Sequence, residues 1–203
     1  MARATWFCID IECSGTVPGL FDMISLGAQV VYDLEDGSLA LGPQLYLEFK
    51  PQAPRVDARA MEVNGLDLER LKAQGLPRID GLKKLTAWTE SHCLPGTTPV
   101  FVGHNAPFDW SFVSYAYKAD DLENPYGYKA LDTKALAAGV LNIHWLETGK
   151  ETLSELLGLP EEDQVKKHRA DYDAEYQALI LIGLLELQRG PLPELEPELE
   201  GEE

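Results

Sequence analysis

The chain has 203 residues, of which 45% are hydrophobic and 25% charged, a length and composition typical of a single well-cored domain. Its net charge of −17 argues against a protein that wraps DNA non-specifically, because such binding usually relies on a basic surface. No run of residues approaches an apolar membrane span and the first residues lack the pattern of a signal peptide, so we expect a cytoplasmic protein without membrane association.

Strands are predicted first, and helices follow. The first quarter of the chain is predicted to hold strands at 5–12, 23–33 and 43–51, with a hairpin turn at Asp36-Gly37. The later predicted elements are a short helix at 56–65 that ends at Asn64-Gly65, a helix at 79–93, a strand at 98–105, a helix at 106–119, a strand and a helix within 128–141, a short helix at 152–159 and a long helix at 170–188. This order predicts an α/β fold in which helices flank a mixed sheet.

The C-terminal segment 191–203 contains six glutamates and no basic residue, which leaves a charge of −11 for residues 1–190. Prolines and unbalanced charge predict a disordered acidic tail, so the predicted domain is 1–190. The three cysteines, Cys8, Cys13 and Cys93, form no CxxC pair, which argues against a disulfide framework or a zinc knuckle.

The first predicted strand carries two acids, Asp10 and Glu12, within the segment WFCIDIECSG. Because side chains alternate along a strand, both carboxylates point to the same side of the sheet. Two like charges on an apolar strand repel each other and resist desolvation. The pair therefore needs partners that stabilise it.

Further acids lie at predicted helix starts. Asp109 follows the strand at 98–105, and Asp173 lies near the start of the last helix, five residues after His168. Each alone is explained as a helix-start carboxylate or a surface histidine. Together with the strand pair they form a set of hard oxygen ligands suited to Mg²⁺ or Mn²⁺, with a histidine able to deprotonate a water.

Three segments in this order, DIECSG, GHNAPFD and HRADYDA, resemble the three exonuclease motifs of the DEDDh branch of the DnaQ-like 3′–5′ exonucleases. The last has the H-x₄-D form that distinguishes this branch from its tyrosine-bearing sister, and the resemblance spans residues 6 to about 185. It implies a ribonuclease H-like fold with a five-stranded mixed sheet. It also implies hydrolysis of phosphodiester bonds from a 3′ end, with release of nucleoside 5′-monophosphates.

The resemblance assigns a role to each motif residue of this chain. Asp10 would bridge two divalent cations, Mg²⁺ or Mn²⁺, and Glu12 and Asp173 would complete the site of the ion that holds the attacking water. Asp109 would hold the second ion, partly through water. His168 would be the general base that takes the proton from the water.

Asp171 is an alternative to Asp173 in the last motif. The two residues lie about 200° apart around a helix, so they cannot both face the metal ions. The family register selects Asp173 and leaves Asp171 to cap the helix start.

Substrate contacts are predicted around these motifs. In the family, the turn after the first motif lies against the terminal nucleotide, although this chain has Cys13 and Ser14 where two threonines are usual. The basic segment KKHR at 166–169 is expected to guide phosphates. The residues predicted to bind substrate are Ser14, Gly15, Leu20, Phe21, Asn64, His104, Asn105 and Lys167.

The sequence therefore predicts a 3′–5′ exonuclease whose partners are nucleic acid 3′ ends, with single-stranded or frayed DNA favoured over RNA. A free-standing enzyme, a homodimer and a subunit of a polymerase or repair complex are all compatible with it. A short-RNA or tRNA-end trimming ribonuclease is an alternative, because the contacts that read the 2′-hydroxyl cannot be located from sequence. An inactive binding module with the same fold and an acidic interaction protein are alternatives from other classes.

Overall fold

The computed structural model describes residues 3–190 and contains one five-stranded sheet of order β3-β2-β1-β4-β5. Strand β1 pairs antiparallel with β2 and parallel with β4, and β2–β3 and β4–β5 continue the two halves of the sheet. The predicted mixed sheet with flanking helices is confirmed. The acidic tail predicted at 191–203 lies outside the described residues.

The strands and helices follow in the order that the sequence predicts. Their bounds are β1 (Ala4–Cys13), β2 (Met23–Asp33), β3 (Leu39–Glu48), α1 (Ala58–Asn64), α2 (Leu68–Gln74), α3 (Arg78–His92), β4 (Thr98–Gly103), α4 (Ala106–Ala119), β5 (Ala130–Asp132), α5 (Thr133–Leu141), α6 (Lys150–Leu157) and α7 (Ala170–Arg189), with a 3₁₀ turn at Trp145–Glu147.

Two elements differ from the predictions. Strand β3 begins at Leu39 rather than at Pro43, because an edge strand next to an irregularity in the β2 ladder tolerates a proline that lacks an amide donor. Helix α2 was not predicted. It is a short helix, and its start is fixed by Asp67, whose side chain accepts hydrogen bonds from the Glu69 and Arg70 amides.

Strand β1 separates the two halves of the core. Phe7, Ile9 and Ile11 pack on one side of the sheet, in the cluster that includes side chains of α3 and α4. Cys8 points to the other side, in a cluster with side chains of α7. Because directions alternate, Asp10 and Glu12 lie on the α7 side of the sheet.

A glycine brings the start of α7 close to these acids. Gly27 pairs with Asp10 across β1 and β2. A Cβ atom on Gly27 would lie about 2.0 Å from the carbonyl oxygen of Ala170, the first residue of α7. The missing side chain therefore allows the helix start to rest on the sheet directly beside Asp10.

One aspartate fixes the starts of two helices. Asp132 caps α5 by accepting from the Lys134 and Ala135 amides. Its side chain also accepts from the backbone amides of Asn105 and Ala106 at the start of α4. Asn105, the residue before α4, is at φ 69° and makes no side-chain cap, so Asp132 caps the start of α4 from a distance in sequence.

The three cysteines are free thiols. None of the helices within residues 3–190 has the length and apolar character that a membrane crossing requires.

Candidate active site

Five side chains that are distant in sequence line one cavity at the end of β1. Asp10 and Glu12 come from β1, Asp109 from the first turn of α4 and Asp173 from the first turn of α7, while His168 lies in the loop before α7. The structure thus brings together all five residues that the three motifs single out.

Asp109 reaches β1 where the parallel ladder has ended. Strand β4 pairs with β1 only as far as Cys8, so the amide of Ile11 has no partner in β4. That amide donates to Asp109 Oδ1 at 3.2 Å, and Asp109 is 5% exposed. This hydrogen bond fixes the α4 carboxylate against the strand that carries the other two acids.

The loop before α7 is held by the aspartate that it precedes. The backbone amide of His168 donates to Asp173 Oδ2 at 2.8 Å, and His168 has a φ of 65°. One ligand atom from each of Glu12, His168 and Asp173 can be chosen so that all three lie within 4.8 Å of one another. Two oxygen donors and an imidazole therefore converge at this point.

The carboxylates destabilise one another when charged. Burial, and then the charge of Asp109, raises the pKa of Asp10 well above its ordinary value. Burial, followed by the charges of Asp10 and Asp173, raises the pKa of Glu12 to about 9. Burial also raises the pKa of Asp109. A divalent cation reverses this situation, since its charge favours the ionised form of every ligand. The donor set, mainly hard carboxylate oxygens, fits Mg²⁺ or Mn²⁺.

Two residues of this cavity region were not predicted from the sequence. Gln177 donates through Nε2 to Asp10 Oδ1 at 2.6 Å. It lies four residues after Asp173 on α7, a spacing that places both on one helix face and could have revealed it. Lys150, the first residue of α6, directs its ammonium group to Asp173 Oδ1. No motif marks this lysine, because it is brought to the site only by the packing of α6.

Several residues predicted to bind substrate also organise the loop after β1. Ser14 is 1% exposed and its Oγ accepts from the Asp22 amide at 2.9 Å. Asn64 donates through Nδ2 to the Cys13 carbonyl at 3.1 Å. A Cβ atom on Gly15 would lie 2.3 Å from the ring of Phe21, so the ring packs directly against the glycine backbone. Contact of these residues with a nucleotide stays a prediction.

The remaining residues predicted to bind substrate differ in exposure. Leu20 is 45% exposed beside the same loop. His104, Asn105 and Lys167 line the cavity with the five motif residues. His104 Nδ1 lies 2.9 Å from Thr133 Oγ1, and burial and then Lys150 lower the pKa of His104 to about 4, so its ring is neutral near neutral pH. Their contacts with substrate also stay predictions.

Substitution of Asp171 is expected to have little effect on activity. Its carboxylate does not cap α7 as predicted, since the start of that helix has no side-chain cap, and it pairs instead with Arg169 at 2.8 Å. Asp173, by contrast, is 4% exposed and lines the cavity. We expect Asp171→Asn to retain activity within about threefold, because a partly exposed ion pair contributes little. Asp173→Asn should lose metal-dependent activity. Initial rates on a labelled oligonucleotide test this pair, and the opposite ranking would show that the register of the last motif is wrong.

Comparisons with known proteins give concordant results. No protein-family model matches the chain. The chain is 36% identical over 170 residues to the 3′–5′ DNA exonuclease Cap18 of Escherichia coli, covering 84% of this chain and 86% of that protein. It is 29% identical to ribonuclease T of Marinobacter nauticus, over 93% of this chain and 87% of that protein.

The fold is similar to that of the nuclease domain of 3′hExo, a DEDDh family member solved with bound rAMP. The TM-score is 0.74 and the identity 15%, over 93% of this chain and 94% of that one. An identity of 36% over most of both chains is sufficient to assign a family.

Proposed function

The chain belongs to the DEDDh branch of the DnaQ-like 3′–5′ exonucleases, and we propose that it trims DNA 3′ ends with two divalent cations and a histidine general base. The proposed products are nucleoside 5′-monophosphates. The proposed substrate is single-stranded DNA or a frayed duplex end. The observation that carries the proposal is the convergence of four acids and one histidine in one cavity.

Each side chain has a proposed task that follows from its position. Asp10, Glu12, Asp109 and Asp173 would hold the cations, Mg²⁺ or Mn²⁺, which when bound supply fixed positive charge for the attacking water and the leaving 3′-oxygen. Gln177 orients Asp10 through its hydrogen bond. The Asp173 carboxylate holds the backbone of His168, which keeps the imidazole at the cavity where it can accept a proton from water.

DNA is proposed as the substrate on the strength of the more similar relative. The 36% identical protein is named a DNA exonuclease, and its alignment covers 84% of this chain. RNA is a second candidate because the 29% identical ribonuclease T aligns over 93% of the chain. The homodimer and the polymerase or repair complex stay predictions, as does the division into a domain at 1–190 and a tail.

The proposal predicts how end-labelled oligonucleotides are shortened. Single- and double-stranded DNA and RNA, each labelled at the 3′ or 5′ end, are incubated with the full chain and Mg²⁺ or Mn²⁺. A 3′ label should appear at once as a mononucleotide carrying a 5′-phosphate, while a 5′ label should pass through a ladder of shortening products. The kcat/KM should be highest for single-stranded DNA, and chelator should stop the reaction.

The other outcomes separate the alternatives. A higher kcat/KM for RNA than for DNA would move the assignment to an RNA-trimming enzyme. Binding of oligonucleotides without shortening, in either metal, would indicate an inactive binding module. Shortening from the 5′ end or internal cleavage would contradict the proposal altogether.

A further inference from the structure

Lys150 places a positive charge inside the acid cluster. We propose that Lys150 has two alternative carboxylate partners, Asp173 and Glu162, and that it competes with a divalent cation for Asp173. This inference rests on the metal site of the proposed function. It adds to that site a resident ammonium group that sets how tightly the metal is held.

The first partner of Lys150 is a proposed metal ligand. The Lys150 side chain is 16% exposed, and its Nζ forms an ion pair with Asp173 Oδ1. The other oxygen of Asp173 accepts from the His168 amide. A cation that binds Oδ1 would therefore lie beside the ammonium group, and repulsion between the two charges favours movement of the ammonium group away.

The second partner is a buried carboxylate. The Glu162 side chain is 6% exposed, and its Oε1 lies 3.6 Å from Lys150 Nζ. Within residues 3–190, Oε1 finds no hydrogen-bond donor, while Oε2 is held by Lys167 Nζ at 3.1 Å. A buried acceptor without a donor is costly, so Oε1 is a prepared position for the ammonium group. Reaching hydrogen-bond distance requires a shift of about 1 Å.

Repulsion between the Lys150 ammonium group and a divalent cation predicts how the loss of each charge changes metal binding. With its ammonium group on Asp173, Lys150 neutralises the charge of one proposed metal ligand and repels any divalent cation that approaches the acid cluster. A divalent ion at the cluster would repel the ammonium in turn and favour its transfer to Glu162. Loss of the lysine charge should therefore strengthen metal binding, whereas loss of the Glu162 charge should weaken it, because the displaced ammonium then has no second carboxylate.

Binding of Mn²⁺ to the full-length protein tests this directly, by titration calorimetry and by the electron paramagnetic resonance signal of free Mn²⁺. Lys150→Gln should bind the tightest Mn²⁺ about tenfold more strongly than wild type, since a charge-assisted hydrogen bond no longer has to be broken. Lys150→Met, which keeps the aliphatic part of the lysine side chain, should bind Mn²⁺ more strongly by a similar factor. Glu162→Gln should bind Mn²⁺ more weakly, by about fivefold or more.

Matched controls separate this effect from net charge. Lys83→Gln and Glu161→Gln remove the same charges from exposed positions on α3 and beside Glu162, and each should bind Mn²⁺ within about twofold of wild type. In a Lys150→Gln background, Glu162→Gln should lose most of its effect, because that effect depends on the Lys150 ammonium group; the remainder measures the contact of Glu162 with Lys167.

The outcomes distinguish this inference from the proposed function. Unchanged or weaker Mn²⁺ binding by both Lys150 variants would overturn the inference and leave the metal site intact. Tighter binding by Glu162→Gln would also overturn it. A wild-type protein that binds no Mn²⁺ at all would overturn the metal site itself, and the inference with it.

Discussion

Asp10→Asn should reduce 3′ trimming by at least about 10³-fold, because Asp10 is a proposed ligand of the divalent cations, which when bound would supply several kcal/mol of transition-state stabilisation. The substitution is nearly isosteric. Gln177 donates to Asp10 Oδ1, and it can donate equally to an asparagine oxygen. The loss of activity should therefore occur without a change in the packing of β1 against α7.

The same substitution should stabilise the protein in chelator. Burial and the charge of Asp109 raise the pKa of Asp10 in the folded state. A carboxyl group with a raised pKa contributes to stability at low pH, and this contribution is lost as pH rises through the folded pKa. Asparagine carries no such dependence. At pH 8 we expect Asp10→Asn to gain about 1 kcal/mol, or about 3 °C in the unfolding midpoint.

Thermal unfolding in EDTA and in Mn²⁺, at pH 5 and pH 8, measures this effect. The advantage of the variant in EDTA should be larger at pH 8, and Mn²⁺ should raise the midpoint of wild type more than that of Asp10→Asn. Asp80→Asn, at an exposed position in the first turn of α3, is the matched control: it should leave activity unchanged and should not raise the midpoint, because a helix-start carboxylate is stabilising. An Asp10→Asn protein that unfolds earlier than wild type in EDTA at pH 8 would contradict the electrostatic account.

The motif residues could be predicted because each is tied to a local pattern. Asp10 and Glu12 share a face through strand alternation, and Asp109 and Asp173 follow from recognisable helix starts. Their convergence could be anticipated from a mixed sheet. The role of Gly27, which lets α7 approach Asp10, could not, since a glycine in a strand does not reveal what packs on it.

The other unpredicted residues depend on tertiary packing alone. Lys150 is the first residue of α6 and Glu162 lies in the loop after that helix, whose position is set by its contact with α7. Nothing local marks either residue as part of a site. Strand β3 was predicted to begin at Pro43 instead of Leu39, because a proline is a strand breaker except at an edge. Whether a strand lies at the edge depends on the order of all strands in the sheet, so the residues around Pro43 alone could not predict it.

Replacement of His168 should separate catalysis from folding. His168 has a φ of 65°, in the left-handed region that glycine and asparagine adopt readily. Its contact with Asp173 is made by the backbone amide, so it survives any change of side chain except proline. His168→Gly and His168→Asn should therefore keep the loop, and each should lower kcat by about 10² to 10⁴-fold, the usual contribution of a general base.

Stability should hardly change in either variant. Glycine relieves the strain of a left-handed residue, about 1 kcal/mol, but adds a similar entropy to the unfolded chain. We expect unfolding midpoints within about 2 °C of wild type. Asn142→Gly is the control for the backbone effect, because Asn142 has a φ of 52° at the end of α5. It should match His168→Gly in stability and wild type in activity.

Imidazole added to the reaction distinguishes a base from a metal ligand or a structural residue. His168→Gly leaves space for a free imidazole at the cavity, whereas His168→Asn fills part of it, so rescue should be seen in the glycine variant and be much smaller in the asparagine variant. If His168 acts as the base, the rescued rate should rise with pH as imidazole loses its proton, while Mn²⁺ affinity stays within about threefold of wild type. A His168→Gly protein that binds Mn²⁺ far more weakly than wild type would instead identify His168 as a metal ligand. The structure allows this role, because a ring nitrogen of His168 and one carboxylate oxygen each of Glu12 and Asp173 lie within 4.8 Å of one another.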